Sequence, residues 1–134
     1  MSWLCLAVAG YAAMAVQTQE FELHWMHSVE RVQWHERYRV EPPKLVLTEN
    51  RVQGSGAGME PDADAVLRQG WWVSRRHMAV PELTLPDSGF TNALQLCSGG
   101  QCAPLASWLP RDGADRNTPY QLWASSDSHC DDPG

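Results

Sequence analysis

Positive charge is scarce in this chain. Ten Lys and Arg stand against sixteen Asp and Glu in 134 residues, giving a formal charge of −6. The basic residues are scattered apart from Arg75-Arg76. Without a basic stripe there is no electrostatic footprint for nucleic acid or an anionic membrane. Long apolar runs are lacking too. The nearest approach, "MSWLCLAVAGYAAMAVQ", is broken by Gly10 and Tyr11 and falls short of the ~20 apolar residues a membrane-spanning helix needs. Ala13-Met14-Ala15 has the form of a signal-peptide cleavage site, yet no Lys or Arg precedes Arg31, so the basic start of a leader is missing. Two short strands, Leu4–Ala9 and Ala13–Gln17, turning at Gly10-Tyr11, are the preferred reading over a leader. Helical signals are nearly absent. The one candidate is "PDADAVLRQG", where Asp62 or Asp64 could cap a single turn before Gly70.

What remains is a succession of short alternating segments separated by Pro and Gly: Phe21–Val29, Val32–Val40, Lys44–Val52, Gly70–Ser74, Glu82–Leu85, Ala93–Cys97 and Cys102–Leu105. With hydrophobic residues at 43% and charged residues at 19%, the chain can build a core. Turn signals about every ten residues predict an all-β protein, a small antiparallel sandwich or barrel-like domain with at most one or two short helical turns. We expect a single β domain over residues 1–109. Residues 110–134, rich in Pro, Asp, Ser and Gly, are expected to form a flexible C-terminal tail in which Trp123 docks locally.

The stretch "HWMHSVERVQWHERYRV" carries most of the chemistry. At a period of two, Phe21, Leu23, Trp25, His27 and Val29 share one face, and Val32, Trp34, Glu36, Tyr38 and Val40 share another. Each apolar face has one misfit, His27 and Glu36. A four-residue loop at Glu30–Gln33 sets the two directly opposite, and a two-residue loop at Glu30-Arg31 makes them diagonal neighbours. A buried carboxylate needs a partner, and His27 is the expected one. His24 and His35 fall on the polar faces and are expected to be solvated. No spacing in the chain matches a zinc signature.

"QGSGAGMEP" is not a P-loop, a dinucleotide fingerprint or a nucleophile elbow. Two readings remain: a bulged turn permitting close packing, or a nest of backbone N–H groups facing an anion. In "LQLCSGGQCAPL" a Gly99-Gly100 turn pairs Cys97 with Cys102 across two strands, within disulfide range. A bridge there would suit an oxidising compartment, and two reduced thiols are the alternative.

Taken together, "FELHWMHSVERVQWHERYRV", "LVLTENRVQGSGAGME" and "LRQGWWV" resemble the bacterial family known as domain of unknown function 1850, over roughly Leu4 to Leu105. The signature falls on His27, Ser28, Val29 and Glu30, on Trp34 and Glu36, and on Gly54, Ser55, Gly56, Ala57, Gly58 and Met59, with Glu60 beside them. The resemblance implies a small β-rich protein whose genes neighbour tripartite ATP-independent periplasmic (TRAP) transporters of the TAXI type. It implies no reaction. The resulting expectation is a non-catalytic accessory or ligand-binding module, without a cofactor, partnered by a small ligand or TRAP subunits. A periplasmic or cell-envelope location is expected, with the cytoplasm as the alternative. Its ligand-binding residues would be His27, Ser28, Glu30, Trp34, Glu36, Gly54, Ser55, Gly56, Gly58, Met59 and Glu60. A small hydrolase or metal-dependent enzyme using His27 and Glu36 is the rival reading, and a purely structural interaction protein the third.

Overall fold

The computed structural model describes residues 2–8, 13–26, 32–53, 64–85, 92–109 and 118–130. These form two antiparallel sheets. The smaller orders β2 (Met14–Gln17), β1 (Trp3–Val8), β11 (Tyr120–Ser125) and β8 (Leu83–Leu85) side by side. The larger orders β10 (Gln101–Pro104), β9 (Asn92–Ser98), β3 (Glu20–Met26), β4 (Gln33–Glu41), β5 (Lys44–Gln53), β7 (Trp71–Val80) and β6 (Val66–Arg68). The expected all-β, sandwich-like architecture is therefore the one observed, and the described strands close no barrel. None of the described helices is long and apolar enough to cross a membrane.

The core lies where the two sheets meet. Leu4, Leu6, Val8, Tyr120, Leu122 and Ala124 from the small sheet pack with Phe21, Leu23, Tyr38, Val40, Leu45, Leu47 and Leu96 from the large one. The contributors on β3, β4 and β9 recur every second residue, as one face of a strand requires. The large sheet keeps this alternation across β5 only by means of an irregularity at Thr48, where the register shifts between Leu47 and Glu49. Without that reset, the inward period of Leu45 and Leu47 would turn Glu49 and Arg51 into the core. With it, Asn50 and Val52 face inward, while Glu49 and Arg51 face out.

Four expectations are corrected. The C-terminal segment is no loose tail where it is described. β11 is an inner strand of the small sheet, with Tyr120 and Leu122 fully buried, and a Cys5–Cys130 disulfide ties its end to β1. The polar composition around residues 110–134 masked the "YQLWAS" alternation that pairs with β1. A cross-link spanning 125 residues removes much unfolded-chain entropy, about 4–5 kcal/mol for a loop of this order. Second, the helical turn expected before Gly70 is strand β6. Gln69 (φ 50°) and Gly70 (φ 87°) form a tight turn that folds β6 back on β7, and two successive positive φ values suit a two-residue hairpin. Third, the one α-helical turn among the described residues, Leu105–Trp108, begins at Leu105, to which β10 was expected to continue. Fourth, β3 and β4 pair with Leu23 opposite Glu36 and Trp25 opposite Trp34. This pairing differs from both registers drawn from the sequence for this hairpin, and His27 itself lies outside the described residues. The Trp25–Trp34 and Phe21–Tyr38 ring stacks, at 6.0 and 5.2 Å between centroids, favour the register that does form.

Candidate functional site

The outward face of the large sheet carries the densest polar chemistry among the described residues. Successive strands place Cys97, Glu22, Arg37, Glu49 and Arg75 in one cross-strand row. Gln95, His24, His35, Arg51 and Val73 form the next. The first row alternates in sign from Glu22 onward, and ion pairs join Glu22, Arg37 and Glu49 but not Arg75. Arg37 bridges Glu22 (3.3 Å) and Glu49 (3.6 Å), and Arg51 donates to Glu49 from the opposite side.

His24 is the junction of the two rows. Its Nε2 lies 2.9 Å from Glu22 Oε1, and its Nδ1 lies 3.4 Å from Cys97 Sγ. Cys97 is itself bridged to Cys102 across the Gly99-Gly100 turn, both glycines having positive φ. The His24 and His35 rings stack with centroids 3.5 Å apart, and Trp71 tilts against the far side of His35 at 4.6 Å. Partial burial, reinforced by His24 and by Arg51, lowers the pKa of His35 to about 4, so its imidazole is neutral at physiological pH. Burial pushes the Glu22 carboxyl upward, but the hydrogen bond from His24 and the charge of Arg37 outweigh it and hold the group below its ordinary value. The expectation that His24 and His35 are simply solvated is thus corrected. Period-two alternation placed them on the polar face, but their half-buried stacking depends on strand register and on Trp71.

Beyond Arg51 the same face opens into a concavity of about 1010 Å³. Trp71, Val66 and Val73 give it apolar wall, and Arg51, Arg68 and Arg75 face Glu49 and Asp64 across it. Glu49 is taken by Arg51 and Arg37, and Asp64 pairs with Arg76 outside the lining set at 3.4 Å. Among the described residues Arg68 and Arg75 have no carboxylate partner.

The inward face carries a second, smaller polar group beyond the core cluster. Glu36 accepts a hydrogen bond from Tyr38 Oη at 3.1 Å. Burial raises its pKa, and burial together with the neighbouring Glu36 carboxylate holds the Tyr38 phenol well above its usual range. Close by in the register, Trp34 Nε1 and Asn50 Oδ1 are buried without a hydrogen-bond partner. Orphaned buried atoms of this kind cost about 1–3 kcal/mol each.

A family description for a domain of unknown function, DUF1850, matches residues 21–105, more than half of the sequence. The chain belongs to that family. No curated protein and no solved structure matches it. The DUF1850 segment contains nearly all of the seven-stranded sheet, from Phe21 in β3 to the end of β10, and only β8 of the small sheet. Both polar groups described above, on the two faces of β3, β4 and β5, therefore lie inside the family segment.

Of the residues expected to form the site, Trp34 and Glu36 are described, and the sheet places both on the inward face. His27, Ser28, Glu30, Gly54, Ser55, Gly56, Gly58, Met59 and Glu60 lie outside the described residues. Among the described residues the hydrogen-bond partner of Glu36 is Tyr38, two residues along the same strand. Sequence reasoning missed the outward cluster of Glu22, His24, His35 and Trp71, and missed the exposed arginines of the concavity. One signal was available for the first: Glu22-x-His24 and His35 all fall on polar faces of adjacent strands. The arginines carried none, since β6 was not read as a strand.

Proposed function

We propose that this DUF1850 member is a non-catalytic module that binds a small organic anion and serves a TAXI-type TRAP uptake system in the periplasm. The observation that carries the reading is the concavity beside Trp71, where Arg68 and Arg75 have no carboxylate partner among the described residues, in a protein of net charge −6. The lining side chains bear three positive and two negative formal charges, and Glu49 is already engaged by two arginines. A carboxylate held by a guanidinium fork gains geometric specificity as well as charge, and an indole wall accepts the ligand's carbon skeleton. No nucleophile–base couple among the described residues lines the concavity, which favours binding over turnover. The transporter link is supported by the sequence signature, and the Cys5–Cys130 and Cys97–Cys102 bridges suit an oxidising compartment.

Calorimetric titration of the purified protein with glutamate, succinate and a neutral amide control tests the ligand class. Saturable binding of a carboxylate, weakened at least tenfold in an Arg68→Ala/Arg75→Ala double variant and absent for the amide, supports the proposal. Equal binding by wild type and double variant, or none by either, overturns it. Co-expression with the subunits of a TAXI-type transporter, followed by affinity purification, tests the partner, and failure to co-purify removes that arm.

A further inference from the structure

We propose that Glu22, His24 and His35 form a three-ligand site for a divalent transition-metal ion, with Zn²⁺ the best match, on the outward face of the large sheet. One ligand atom from each residue lies within 4.8 Å of the other two. The backbone accounts for the grouping. Glu22 and His24 are two apart on β3 and so project from the same face, and His35 sits directly across from His24 on β4. Such a triangle of i, i+2 and a cross-strand residue gives three donors converging over rigid backbone, where the sheet supplies the precision that a loop would not.

The donor set selects the ion. Two imidazole nitrogens and one carboxylate oxygen match Zn²⁺, Co²⁺ or Cu²⁺, whereas Mg²⁺ and Ca²⁺ prefer all-oxygen shells. Tetrahedral Zn²⁺ with bonds of about 2.0–2.1 Å wants its donors roughly 3.4 Å apart. The Glu22 Oε1 to His24 Nε2 separation of 2.9 Å is already close to that. In the stacked arrangement the two imidazole planes are nearly parallel (11°), so a turn of the His35 ring about its χ2 bond is needed to bring its lone pair in. That torsion is soft and two-fold, which makes the rearrangement inexpensive.

Surrounding groups fit the role. Arg37 binds the other carboxylate oxygen of Glu22 and so leaves Oε1 on the side of His24 while fixing the carboxylate's orientation, as supporting residues around metal sites commonly do. A recess of about 290 Å³ lined by Glu20, Glu22, His24 and the Cys97–Cys102 turn gives an ion access from solvent. Arg51 and Arg37 oppose a cation, while Glu49 and Glu22 favour one, so the field does not exclude it. Three protein donors leave one position of a tetrahedron open to water or an exogenous ligand. This inference does not rest on the anion-binding reading, because no member of the triad lines the larger concavity.

Protein treated with EDTA, its disulfides intact, is titrated with Zn²⁺ by calorimetry and with Co²⁺ by visible absorption. One equivalent is expected, with intense d–d bands marking tetrahedral Co²⁺. Separate His24→Ala and His35→Ala variants should each lose at least the ~10–100-fold in affinity that changes to outer-shell partners alone can cause. His77→Ala and His129→Ala, exposed and remote in sequence, should bind as wild type does. Circular dichroism and thermal melting verify folding, and Glu22→Gln replaces any histidine variant that fails to fold. Absence of stoichiometric binding in wild type, or affinity unchanged in the triad variants, overturns the site.

Discussion

Glu22 and Glu36 stand on the same pair of strands, on opposite faces, and their environments push them in opposite directions. Both are partly withdrawn from water. Glu22 looks outward and receives His24 and Arg37, so its carboxylate is favoured in the charged form. Glu36 looks inward and, among the described residues, receives the Tyr38 hydroxyl alone, so burial prevails and its charged form is disfavoured. Burial alone does not decide a carboxylate's fate; the supply of donors does. The contrast extends to the faces themselves. The outward rows form a network in which nearly every charge has an opposite neighbour. The inward face pairs a dense apolar core with a few polar atoms, Trp34 Nε1 and Asn50 Oδ1, left without partners.

The two faces should therefore respond very differently to truncation. Leu23 is 1% exposed and sits directly opposite Glu36. Leu23→Ala removes packing at the junction of the two sheets and should cost about 2–5 kcal/mol, within the usual range for a buried leucine. His35→Ala, on the half-buried outward face, should cost no more than about 1 kcal/mol, because it leaves no closed cavity and water can replace the ring. Denaturant unfolding of the two variants measures both. Comparable losses would mean that the outward stack carries as much stability as the core, and the division between the faces would fail.

The pH response sharpens the same contrast through sign. His35 has a folded pKa of about 4, below its ordinary 6.5, so the unfolded chain binds more protons than the folded one between these values. Stability should rise with pH across that window and fall on acidification. Glu22, held below its ordinary value, adds stability that is present above the usual carboxylate range and is lost as pH falls through its folded pKa. Both outward groups thus favour neutral pH over acid. Thermal melting from pH 7 to pH 4 should show a progressive decline, and a Glu22→Gln/His35→Asn variant should show a flatter one. An unchanged slope in that variant would assign the acid sensitivity elsewhere.

The legible part of this protein was its alternation. Period-two patterning gave β3, β4, β5, β9 and β10 of the large sheet nearly to their ends, though it missed β6 and the second half of β7, and it put Glu36 on the apolar side and placed Cys97 opposite Cys102 through Gly99-Gly100. Register was not legible, because it depends on which ring stacks on which. Trp25 on Trp34 and Phe21 on Tyr38 choose the alignment, and that choice puts Leu23 opposite Glu36. Long-range closure was equally hidden. β11 becomes a strand by pairing with β1 more than a hundred residues earlier, and the Cys5–Cys130 bridge spans the same distance, with no local motif to announce either. The outward histidines illustrate the middle case. Their face could be read directly, but the neutral, stacked state of His35 follows from burial and from His24, with Trp71 and Arg51 adding to it from other strands.

The smallest expected effect is the most discriminating. Glu36→Gln keeps the shape of the side chain and retains an oxygen that can accept from Tyr38 Oη, while removing a charge that burial disfavours. A carboxyl whose folded pKa is raised contributes stability that is present below its unfolded pKa and is lost as pH rises through the folded value. At neutral pH the wild-type glutamate should therefore be a mild liability, and the glutamine variant should be equal in stability or more stable by under about 1 kcal/mol. At pH 4, where the glutamate is already largely protonated, the two proteins should be nearly indistinguishable. Had Glu36 been held by a buried cationic partner, removing its charge would instead cost about 3–5 kcal/mol at neutral pH, since the partner would be stranded. Urea unfolding of both proteins at pH 7 and pH 4 separates these outcomes. A large loss at pH 7 alone would mean that an additional donor reaches Glu36 and that the two glutamates are more alike than their faces.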